Sequence, residues 1–272
     1  MKLDLNDEDV VSILDEIPFW SASFGIELLE KIKLLHGINA LDIGCGTGFP
    51  LLEVAQRLGN TSNVYGIDPY EKALDRVRLK IKTMGITNTK LFAGKAENMP
   101  FEDRFFNLIV SNNGLNNVED QRKVLSECFR VCRPDAQMVL TMNLPETMIE
   151  FYSVYEETLN EFGLSGEISN LKEHIAGKRQ PISATSVLLH EAGFEINEVS
   201  QKEFNYRFAD GTAMLNYYLI KLAFLEPWKS VIRKEDIERV FSFIEIKLND
   251  IAGLKGELRL KIPFVSFDCR KH

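Results

Sequence analysis

From residue 39 onward, short apolar runs alternate with amphipathic stretches along most of the chain. This alternation is typical of parallel strands joined by crossover helices, and it predicts an α/β sheet. The predicted strands are 39–43, 63–67, 89–93, 106–111 and 137–143. The predicted helices are 50–58, 71–84 and 118–131, and a further helix and strand are predicted over 185–201.

The remaining stretches are predicted to cover this sheet or to complete it. Residues 1–35 are predicted to form an N-terminal helical cap segment, and helical insertions are predicted at about 145–182 and 206–256. Residues 36–272 would then form one domain that carries both insertions. The last segment alternates like a strand from Leu258, and Pro263 within it favours a bulge or an edge position because proline lacks an N–H.

The charge and the cysteines limit the partners and the compartment. Forty acidic and 32 basic residues give a formal net charge of −8, which repels polyphosphates, so no nucleic-acid partner is expected. The basic run 76–82 lies on one predicted helix and is interpreted as a solvated face. The N-terminus lacks the order of a signal peptide, and no apolar run reaches the roughly 18 residues of a membrane span. Four cysteines without CxxC pairs suit a reducing compartment, so we expect a cytoplasmic protein without a membrane partner or a metal site.

Three glycines in the segment ALDIGCGTGFP follow the first predicted strand and precede the first crossover helix. Gly44, Gly46 and Gly48 let the main chain turn sharply and approach a ligand closely. Their spacing differs from the G-x-G-x-x-G of dinucleotide-binding dehydrogenases, and no Gly-Lys-Ser/Thr of a P-loop follows. Asp42 stands before the loop, where it would disfavour a phosphate but could attract an ammonium group. The loop therefore indicates a cofactor without phosphates.

The second predicted strand leads into Asp68, in the segment VYGIDPY. From the end of a strand, a carboxylate can accept hydrogen bonds from both hydroxyls of a ribose, which fits an adenosine. A helix N-cap is the alternative role for this residue. Beside the glycine loop, the ligand role is favoured.

Five motifs in order, LDIGCGTG, GIDP, GKAENMPF, FNLIVSNNGLNN and ECFRVCRP, resemble those of class I S-adenosylmethionine-dependent methyltransferases. The resemblance is strongest over about residues 39–143 and is nearest to the small-molecule group that includes the ubiquinone and menaquinone C-methyltransferases. It implies a Rossmann-like, doubly wound, seven-stranded mixed sheet with the last strand antiparallel. It also implies S-adenosyl-L-methionine as the cofactor and methyl transfer to a small organic molecule by in-line displacement.

The resemblance also assigns roles to residues at the ends of the strands. The methionine end of the cofactor would be held by the loop, the ribose by Asp68, and the adenine by residues after the second and third strands. The implied cofactor-binding residues are Asp42, Gly44, Cys45, Gly46, Gly48, Asp68, Pro69, Ala96, Glu97, Asn112 and Asn113. Two positions depart from the family pattern: Lys95 stands where an acidic residue usually accepts the adenine amino proton, and Asn107 stands where aspartate is usual.

The acceptor side is less defined. The candidates for a catalytic group are His174, Tyr152 and Asn112. The candidate lining of the substrate pocket is aromatic and consists of Phe19, Trp20, Phe24, Phe151, Tyr152 and Tyr155, with plain packing as the alternative role. Two other functions stay open: a non-catalytic module that binds the same cofactor, and an RNA or protein methyltransferase, which would need a basic groove.

Overall fold

The computed structural model describes residues 5–15 and 19–272. The strands are β1 Asn39–Ile43, β2 Asn63–Asp68, β3 Thr89–Ala93, β4 Phe106–Asn112, β5 Cys132–Asn143, β6 Phe194–Phe208 and β7 Leu258–Lys271. The helices are α1 Glu8–Asp15, α2 Phe19–Lys31, α3 Leu51–Leu58, α4 Glu71–Met84, α5 Gln121–Val131, α6 Ile149–Glu161, α7 Ser165–Lys178, α8 Ile182–Glu191, α9 Gly211–Asn216, α10 Leu225–Lys229 and α11 Ile237–Lys255. Shorter helical turns lie at Leu115–Asn117, Ile220–Phe224 and Lys234–Asp236.

The seven strands form one sheet in the order β3-β2-β1-β4-β5-β7-β6. Strands β1 to β5 pair in parallel, and β7 runs antiparallel to β5 in a register from Gln137 opposite Arg270 to Asn143 opposite Phe264. This confirms the predicted doubly wound mixed sheet with an antiparallel last strand. The strand order reverses between β1 and β4, and ligands of open α/β sheets bind at such a reversal, beyond the carboxyl ends of the strands.

The bounds of some elements were predicted correctly because their local sequence fits both their burial and their ends. Strand β1 is buried on both faces after its first residue, as expected of a parallel strand covered by helices on each side. Helix α4 ends at Met84 and is capped by Gly85, whose left-handed conformation (φ 67°) closes the last turn. The predicted bounds of β1, β3 and α4 agree with the observed ones.

The region around α5 differs from its prediction. The predicted helix from residue 118 begins instead at Gln121, because the Asp120 side chain accepts a hydrogen bond from the Lys123 N–H and caps the helix there. Strand β5 begins at Cys132, directly after the helix and before Pro134, so the prediction of residue 137 for its start is wrong.

Pro263 lies where the ladder between β5 and β7 ends. Strand β7 lies between β5 and β6, inside the sheet. Proline is accommodated because the ladder to β5 begins one residue later, at Phe264, so Pro263 is not one of its paired residues.

The described residues form two compact units. The sheet unit comprises 5–15, 19–143, 181–201 and 264–272, and the insertion unit comprises 144–180 and 202–263. The core of the sheet unit includes Leu28 of α2, Leu51 of α3 and Leu74 of α4, all without exposed surface. In the insertion unit, the buried Trp228 stacks on Phe151 with 3.8 Å between ring centroids.

No helix in ranges 5–15 and 19–272 is long and apolar enough to cross a membrane. Over the same ranges, no group of three or more His, Cys, Asp or Glu side chains could hold a metal ion.

Candidate functional site

The candidate site lies in the sheet unit where β1, β2 and β4 end. These strands are neighbours around the reversal of the sheet order, so the loops that follow them meet at one edge. The sequence-predicted residues Asp42, Asp68 and Asn112 stand at the ends of these three strands. The topology thus brings the main predicted cofactor residues to the same edge of the sheet.

The loop between β1 and α3 turns through three left-handed glycines. Gly44, Gly46 and Gly48 have φ angles of 71°, 51° and 106°, a region that other residues rarely adopt. The Gly44 N–H donates to the Ile67 carbonyl oxygen at 2.9 Å, and the Gly48 N–H donates to the Cys45 carbonyl oxygen at 2.9 Å. These bonds tie the loop to β2 and to itself and hold its shape.

The three glycines have different surroundings. A Cβ at Gly46 would meet no atom of the described residues within 4 Å, so open space lies in front of its backbone. A Cβ at Gly44 would lie 3.4 Å from the Cα of Gly114, and one at Gly48 would lie 3.2 Å from the Leu52 side chain. The Cα of Gly46 therefore faces open space, whereas Gly44 and Gly48 permit close packing.

Asp42 is a buried carboxyl group without a hydrogen-bond partner. It has no exposed surface, and among the described residues neither of its oxygens accepts a hydrogen bond of ordinary geometry. Burial raises the pKa of Asp42 well above its usual range, the nearby Asp68 raises it further, and the Leu51 N–H opposes this rise. A cationic group would satisfy this carboxylate, so the site fits the ammonium of a methionine moiety.

Asp68 holds the loop and still keeps acceptor capacity. Its Oδ2 accepts from the Gly46 N–H at 2.9 Å, and its Oδ1 accepts from the Tyr70 N–H at 2.9 Å. Burial raises the pKa of Asp68, and the Tyr70 and Gly46 N–H groups oppose that rise. The N-cap of α4 is Tyr70, so Asp68 is not in the alternative N-cap position. A carboxylate accepts about four hydrogen bonds, which leaves room for ribose hydroxyls.

Cys45 and Pro69 contribute to the site differently from its carboxylates. The Cys45 side chain is buried in the apolar core of the sheet unit, where burial, followed by Asp42 and Asp68, raises the pKa of its thiol. It therefore faces the core and leaves its backbone as its contribution to the loop. Pro69 is exposed, and Tyr70 beside it is 38% exposed, so both present surface beyond the end of β2.

The segment after β3 is tied to the start of α5. Ala96 is buried, and Glu97 Oε1 accepts from the Glu119 N–H at 2.9 Å. The exposed Lys95 pairs with the Glu119 carboxylate, 2.6 Å from Nζ to Oε1, and this bond raises the pKa of Lys95. Lys95 therefore lies on the surface, and Glu97 has a structural task in addition to its predicted one.

The loop after β4 is a polar network. Asn112 Nδ2 donates to the Ser21 carbonyl oxygen at 2.9 Å, and Asn112 Oδ1 accepts from the Thr141 hydroxyl at 3.0 Å. Asn113 is left-handed (φ 58°), and its Oδ1 accepts from the Asn143 N–H at 3.0 Å. The nitrogen and the oxygen of the Asn112 side-chain amide are both hydrogen-bonded, so this residue positions its surroundings. An amide has no basic group for proton transfer.

Helix α2 packs against the loop and the residues after β4. A Cβ added at Gly25 would come within 2.2 Å of the Phe49 ring and 3.3 Å of Asn112 Nδ2. The absence of a side chain at Gly25 therefore lets α2 lie directly on this part of the site. Neither Gly25 nor Phe49 carries a motif signal, and only the three-dimensional contact shows their role.

A second unpredicted contact joins α1 to the glycine loop through α4. Lys80 Nζ donates to the Thr47 carbonyl oxygen at 2.9 Å and also pairs with Asp15. Arg76 Nε lies 2.7 Å from Asp15 Oδ2. Burial would raise the pKa of Asp15, but hydrogen bonds from Lys80 and Arg76 lower it. Interpretation of residues 76–82 as a solvated face is therefore wrong for Arg76 and Lys80, which are partly buried.

The predicted aromatic lining is divided between the two units. In the sheet unit, Phe19 is 46% exposed, whereas Phe24 is buried, with 5.2 Å between its ring centroid and that of Trp20. Phe24 also packs edge-on against Phe264, with 5.1 Å between centroids. Of these three rings, Phe19 presents the most surface to a ligand.

In the insertion unit, the other three predicted rings surround Trp228. Phe151, Tyr152 and Tyr155 are all buried. The Tyr152 hydroxyl accepts from the Trp228 indole N–H at 2.9 Å, and the Tyr155 hydroxyl donates to the Trp228 carbonyl oxygen at 2.9 Å. These three rings therefore pack around Trp228, which is the alternative to lining a substrate pocket. His174 of α7 lies against Tyr152, with 6.4 Å between ring centroids.

Comparison with known proteins gives one family and several relatives. The model of a methyltransferase domain family matches residues 34–217. A demethylmenaquinone methyltransferase of Geobacillus sp. (strain WCH70) is 33% identical over 129 residues, which cover 47% of this chain and 55% of that protein. The chain thus spans about half the length of the curated relatives it matches.

Solved structures share the fold. A candidate methyltransferase from Bacillus halodurans C-125 is 17% identical, with a TM-score of 0.60, and the match covers 92% of this chain and 99% of that one. A SAM-dependent methyltransferase from Aquifex aeolicus is 20% identical, with a TM-score of 0.53, over 71% of this chain and 91% of that one. At these identities the likeness establishes the fold.

Proposed function

Because the chain belongs to the methyltransferase domain family, we propose that it binds S-adenosyl-L-methionine and transfers the cofactor's methyl group to a small organic molecule. The observation that carries this proposal is the buried carboxyl group of Asp42, which lacks a hydrogen-bond partner among the described residues and stands at the end of β1, directly before the glycine loop. Residues 36–272 would form the methyltransferase domain, with residues 1–35 as its cap. Four free, buried cysteines fit the proposed cytoplasmic location.

In this proposal, different residues bind different parts of the cofactor. Asp42 would face the ammonium of the methionine moiety, and Asp68 would accept hydrogen bonds from the ribose hydroxyls. The adenine would lie among Pro69, Ala96 and Glu97. Bound here, S-adenosyl-L-methionine supplies a methyl group on a sulfonium carbon, which is already an activated electrophile.

The protein's part in the reaction is to orient the acceptor and keep it close to the methyl carbon. Asn112 is a positioning residue, because its amide links α2 to β4 and β5 through Ser21 and Thr141. The hydroxyl of Tyr152, one of the sequence-predicted catalytic candidates, is bonded to the Trp228 indole N–H, so this proposal assigns it no proton-transfer role.

The acceptor that we propose is a small molecule with an apolar, planar body. The relatives named demethylmenaquinone methyltransferase support this class. The net charge of −8 disfavours RNA as an acceptor. Phe19 offers an exposed aromatic face in the sheet unit, where a planar molecule could stack.

The first experiment measures binding of S-adenosylhomocysteine by calorimetry to the full chain and to Asp68→Ala. We expect a dissociation constant in the micromolar range and a loss of at least about tenfold in the variant, because two hydroxyls lose a charged acceptor. Asp250→Asn is the matched control, since its carboxylate is exposed in the insertion unit. No binding by the unaltered chain would sink the proposal.

The second experiment tests turnover. The chain is incubated with methyl-labelled S-adenosyl-L-methionine and a panel of naphthoquinols, catechols and small amines, and label transfer is followed by mass spectrometry. Transfer that requires Asp68 supports the proposal. Cofactor binding without transfer to any panel member would favour the non-catalytic module, and transfer to RNA or protein alone would contradict a small-molecule acceptor.

A further inference from the structure

The insertion unit contains a cavity of about 630 Å³ between α6, α11 and the first half of β7. A volume of several hundred Å³ is typical of sites for one small organic ligand. All residues that line it belong to the insertion unit, and none is among the predicted cofactor residues. The methyl-transfer proposal assigns no task to this cavity.

One part of the cavity wall is apolar. It is formed by Ile149 and Val154 of α6, by Leu248 and Ile251 of α11, and by Leu258 at the start of β7. Leu248 and Leu258 are almost completely buried, whereas Ile149 remains 43% exposed. An exposed isoleucine beside buried leucines leaves apolar surface that a ligand could cover.

The acidic groups of the cavity are already bound by this chain. Glu150 Oε2 accepts from the Lys261 N–H at 3.0 Å, and Glu157 pairs with Lys247 at 2.9 Å. Glu257 pairs with Arg207 and with Arg259, whose Nη2 lies 2.6 Å from Oε1. These two guanidinium groups lower the pKa of Glu257 to about 2, so it stays ionised and neutralised by them.

Two cations at the cavity are without such partners. Lys255, in the last turn of α11, and Lys261, on β7, are exposed residues that line it. Neither ammonium group has a hydrogen bond or an ion pair with any residue that the structure describes. Among the described residues, Glu150 has a neutral N–H and no cation as its partner, so the charges without a counterion are two ammonium groups and one carboxylate, and their sum is positive.

We propose that this cavity is a second binding site, which takes a small amphipathic anion with an aliphatic chain and a carboxylate head. The chain lies against the apolar wall of α6 and α11, and Lys255 and Lys261 bind the head. A ligand with an aliphatic chain but no charge would leave the two ammonium groups unpaired. An anion without an aliphatic chain would leave the apolar wall exposed to water. The inference is independent of the proposed methyl transfer.

The test uses decanoate as the probe and calorimetry with the full chain. We expect a dissociation constant on the order of 100 μM, given the twelve or so heavy atoms of such a probe. The double variant Lys255→Gln/Lys261→Gln should bind at least about tenfold more weakly, because the head loses both charged donors. 1-Decanol, which has the same chain and no charge, should bind the unaltered protein more weakly by a similar factor.

Two further variants locate the site. Ile251→Trp places a larger side chain in the cavity and should abolish binding, with circular dichroism used to verify that the variant is folded. Lys172→Gln is the matched control, because Lys172 is a surface lysine of the same unit paired with Glu156 and does not line the cavity. It should bind decanoate as the unaltered protein does.

Three results would overturn the proposal. The double lysine variant or Ile251→Trp could bind decanoate with unchanged affinity, which would place the ligand elsewhere. Decanol could bind as tightly as decanoate, which would show that the negative charge of the head group does not contribute to binding. The protein could sediment with phosphatidylglycerol vesicles and ignore free decanoate, which would make this face a membrane contact.

Discussion

The buried carboxyl group of Asp42 lowers the stability of the free protein. The group is fully buried and lacks a hydrogen-bond partner among the described residues. An unpaired buried charge is strongly unfavourable, so the free protein favours the protonated carboxyl group and the pKa of Asp42 is raised. This feature links the stability of the free protein to its affinity for a cationic ligand.

The first prediction is that Asp42→Asn stabilises the free protein. Because the pKa of Asp42 is higher in the folded chain than in the unfolded chain, the folded chain retains a proton that the unfolded chain releases. The free energy of unfolding therefore falls as pH rises above about 3.9 towards the raised pKa. Asparagine cannot ionise, so we expect the variant to be more stable at pH 7, by at least about 1 kcal/mol. Urea unfolding at pH 4 and pH 7 measures this.

The exposed Asp250→Asn serves as the control, since it removes the same charge from a solvated position and should change stability little. If Asp42→Asn is instead less stable than the unaltered chain at pH 7, the carboxylate has a stabilising partner and the explanation given for its pKa is wrong.

The second prediction concerns the affinity for S-adenosylhomocysteine between pH 5.5 and 7.5. A carboxyl group that loses its proton when an ammonium binds makes affinity rise with pH, by up to tenfold per pH unit for one proton. Calorimetry should therefore show tighter binding at pH 7.5 than at pH 5.5, and a smaller difference in Asp42→Asn. Equal pH dependence in both proteins would exclude Asp42 as the ammonium partner.

The third prediction concerns Gly114, where the loops after β1 and β4 meet. Its φ of −74° would suit alanine, but a Cβ there would lie 2.7 Å from the Ile43 carbonyl oxygen and 2.8 Å from Ser111 Oγ. Gly114→Ala should lower the free energy of unfolding by about 1–3 kcal/mol, because the two loops must separate. Thermal unfolding measures the change. Gly253→Ala, where a Cβ meets no described atom within 4 Å, is the control and should be tolerated.

Among the elements, α2 is fixed to the sheet by the buried side chain of Gln137. Its Nε2 donates to the Lys31 carbonyl oxygen at 2.9 Å and to Asp268 Oδ1 at 2.8 Å. Its Oε1 accepts from the Lys33 N–H at 2.9 Å. One amide thus joins the end of α2 to β5 and β7, and α2 in turn contacts the site through Ser21.

The fourth prediction is that Gln137→Ala destabilises the protein by about 2–4 kcal/mol, since it leaves a backbone N–H, a carbonyl and a carboxylate without their shared partner. Because Ser21 and Gly25 of α2 contact Asn112 and Phe49, the affinity for S-adenosylhomocysteine should fall as well. Chemical unfolding and calorimetry measure the two effects. Gln56→Ala, at an exposed glutamine of α3, should change neither, and an unchanged stability in Gln137→Ala would contradict the role of this amide.

Elements set by local sequence were predictable, and elements set by long-range contacts were not. The glycines at 44–48 and at Gly85 fix their turns through their own backbone freedom, so the neighbouring strand and helix bounds follow from the sequence. The early start of β5 at Cys132 depends on pairing with Phe106 of β4, far away in the chain. Likewise, the contact of Gly25 with Phe49 joins residues of different elements and has no pattern in the sequence.

At the scale of the whole molecule, the chain returns repeatedly from one compact unit to the other. The sheet unit is assembled from separated stretches, because 144–180 and 202–263 belong to the insertion unit. The alternation of apolar and amphipathic segments predicted the five parallel strands. The antiparallel last strand followed only from the family resemblance, and the order of the strands in the sheet was not predicted. Periodicity reports which face of a segment is buried and carries no information on which strand becomes its neighbour.

The fifth prediction uses hydrogen exchange to separate the interior of the sheet from its edge. Leu41, Ile109 and Val139 lie on the adjacent strands β1, β4 and β5 and have no exposed surface, so their amides should exchange only through global unfolding. With S-adenosylhomocysteine at 100 times its dissociation constant, the native state gains about 2.7 kcal/mol. Exchange at these amides should therefore slow by about 100-fold.

Strand β6 provides the internal comparison, since it is an edge strand of the sheet and its residues Val199 and Glu203 are exposed. Its amides should exchange through local opening, in which the ligand stays bound, and their rates should change little. Equal slowing of β6 and the central strands would show that the edge opens only with the whole sheet. Unchanged central amides under saturating ligand would mean that binding is not linked to the folded sheet, against the placement of the cofactor at the ends of β1, β2 and β4.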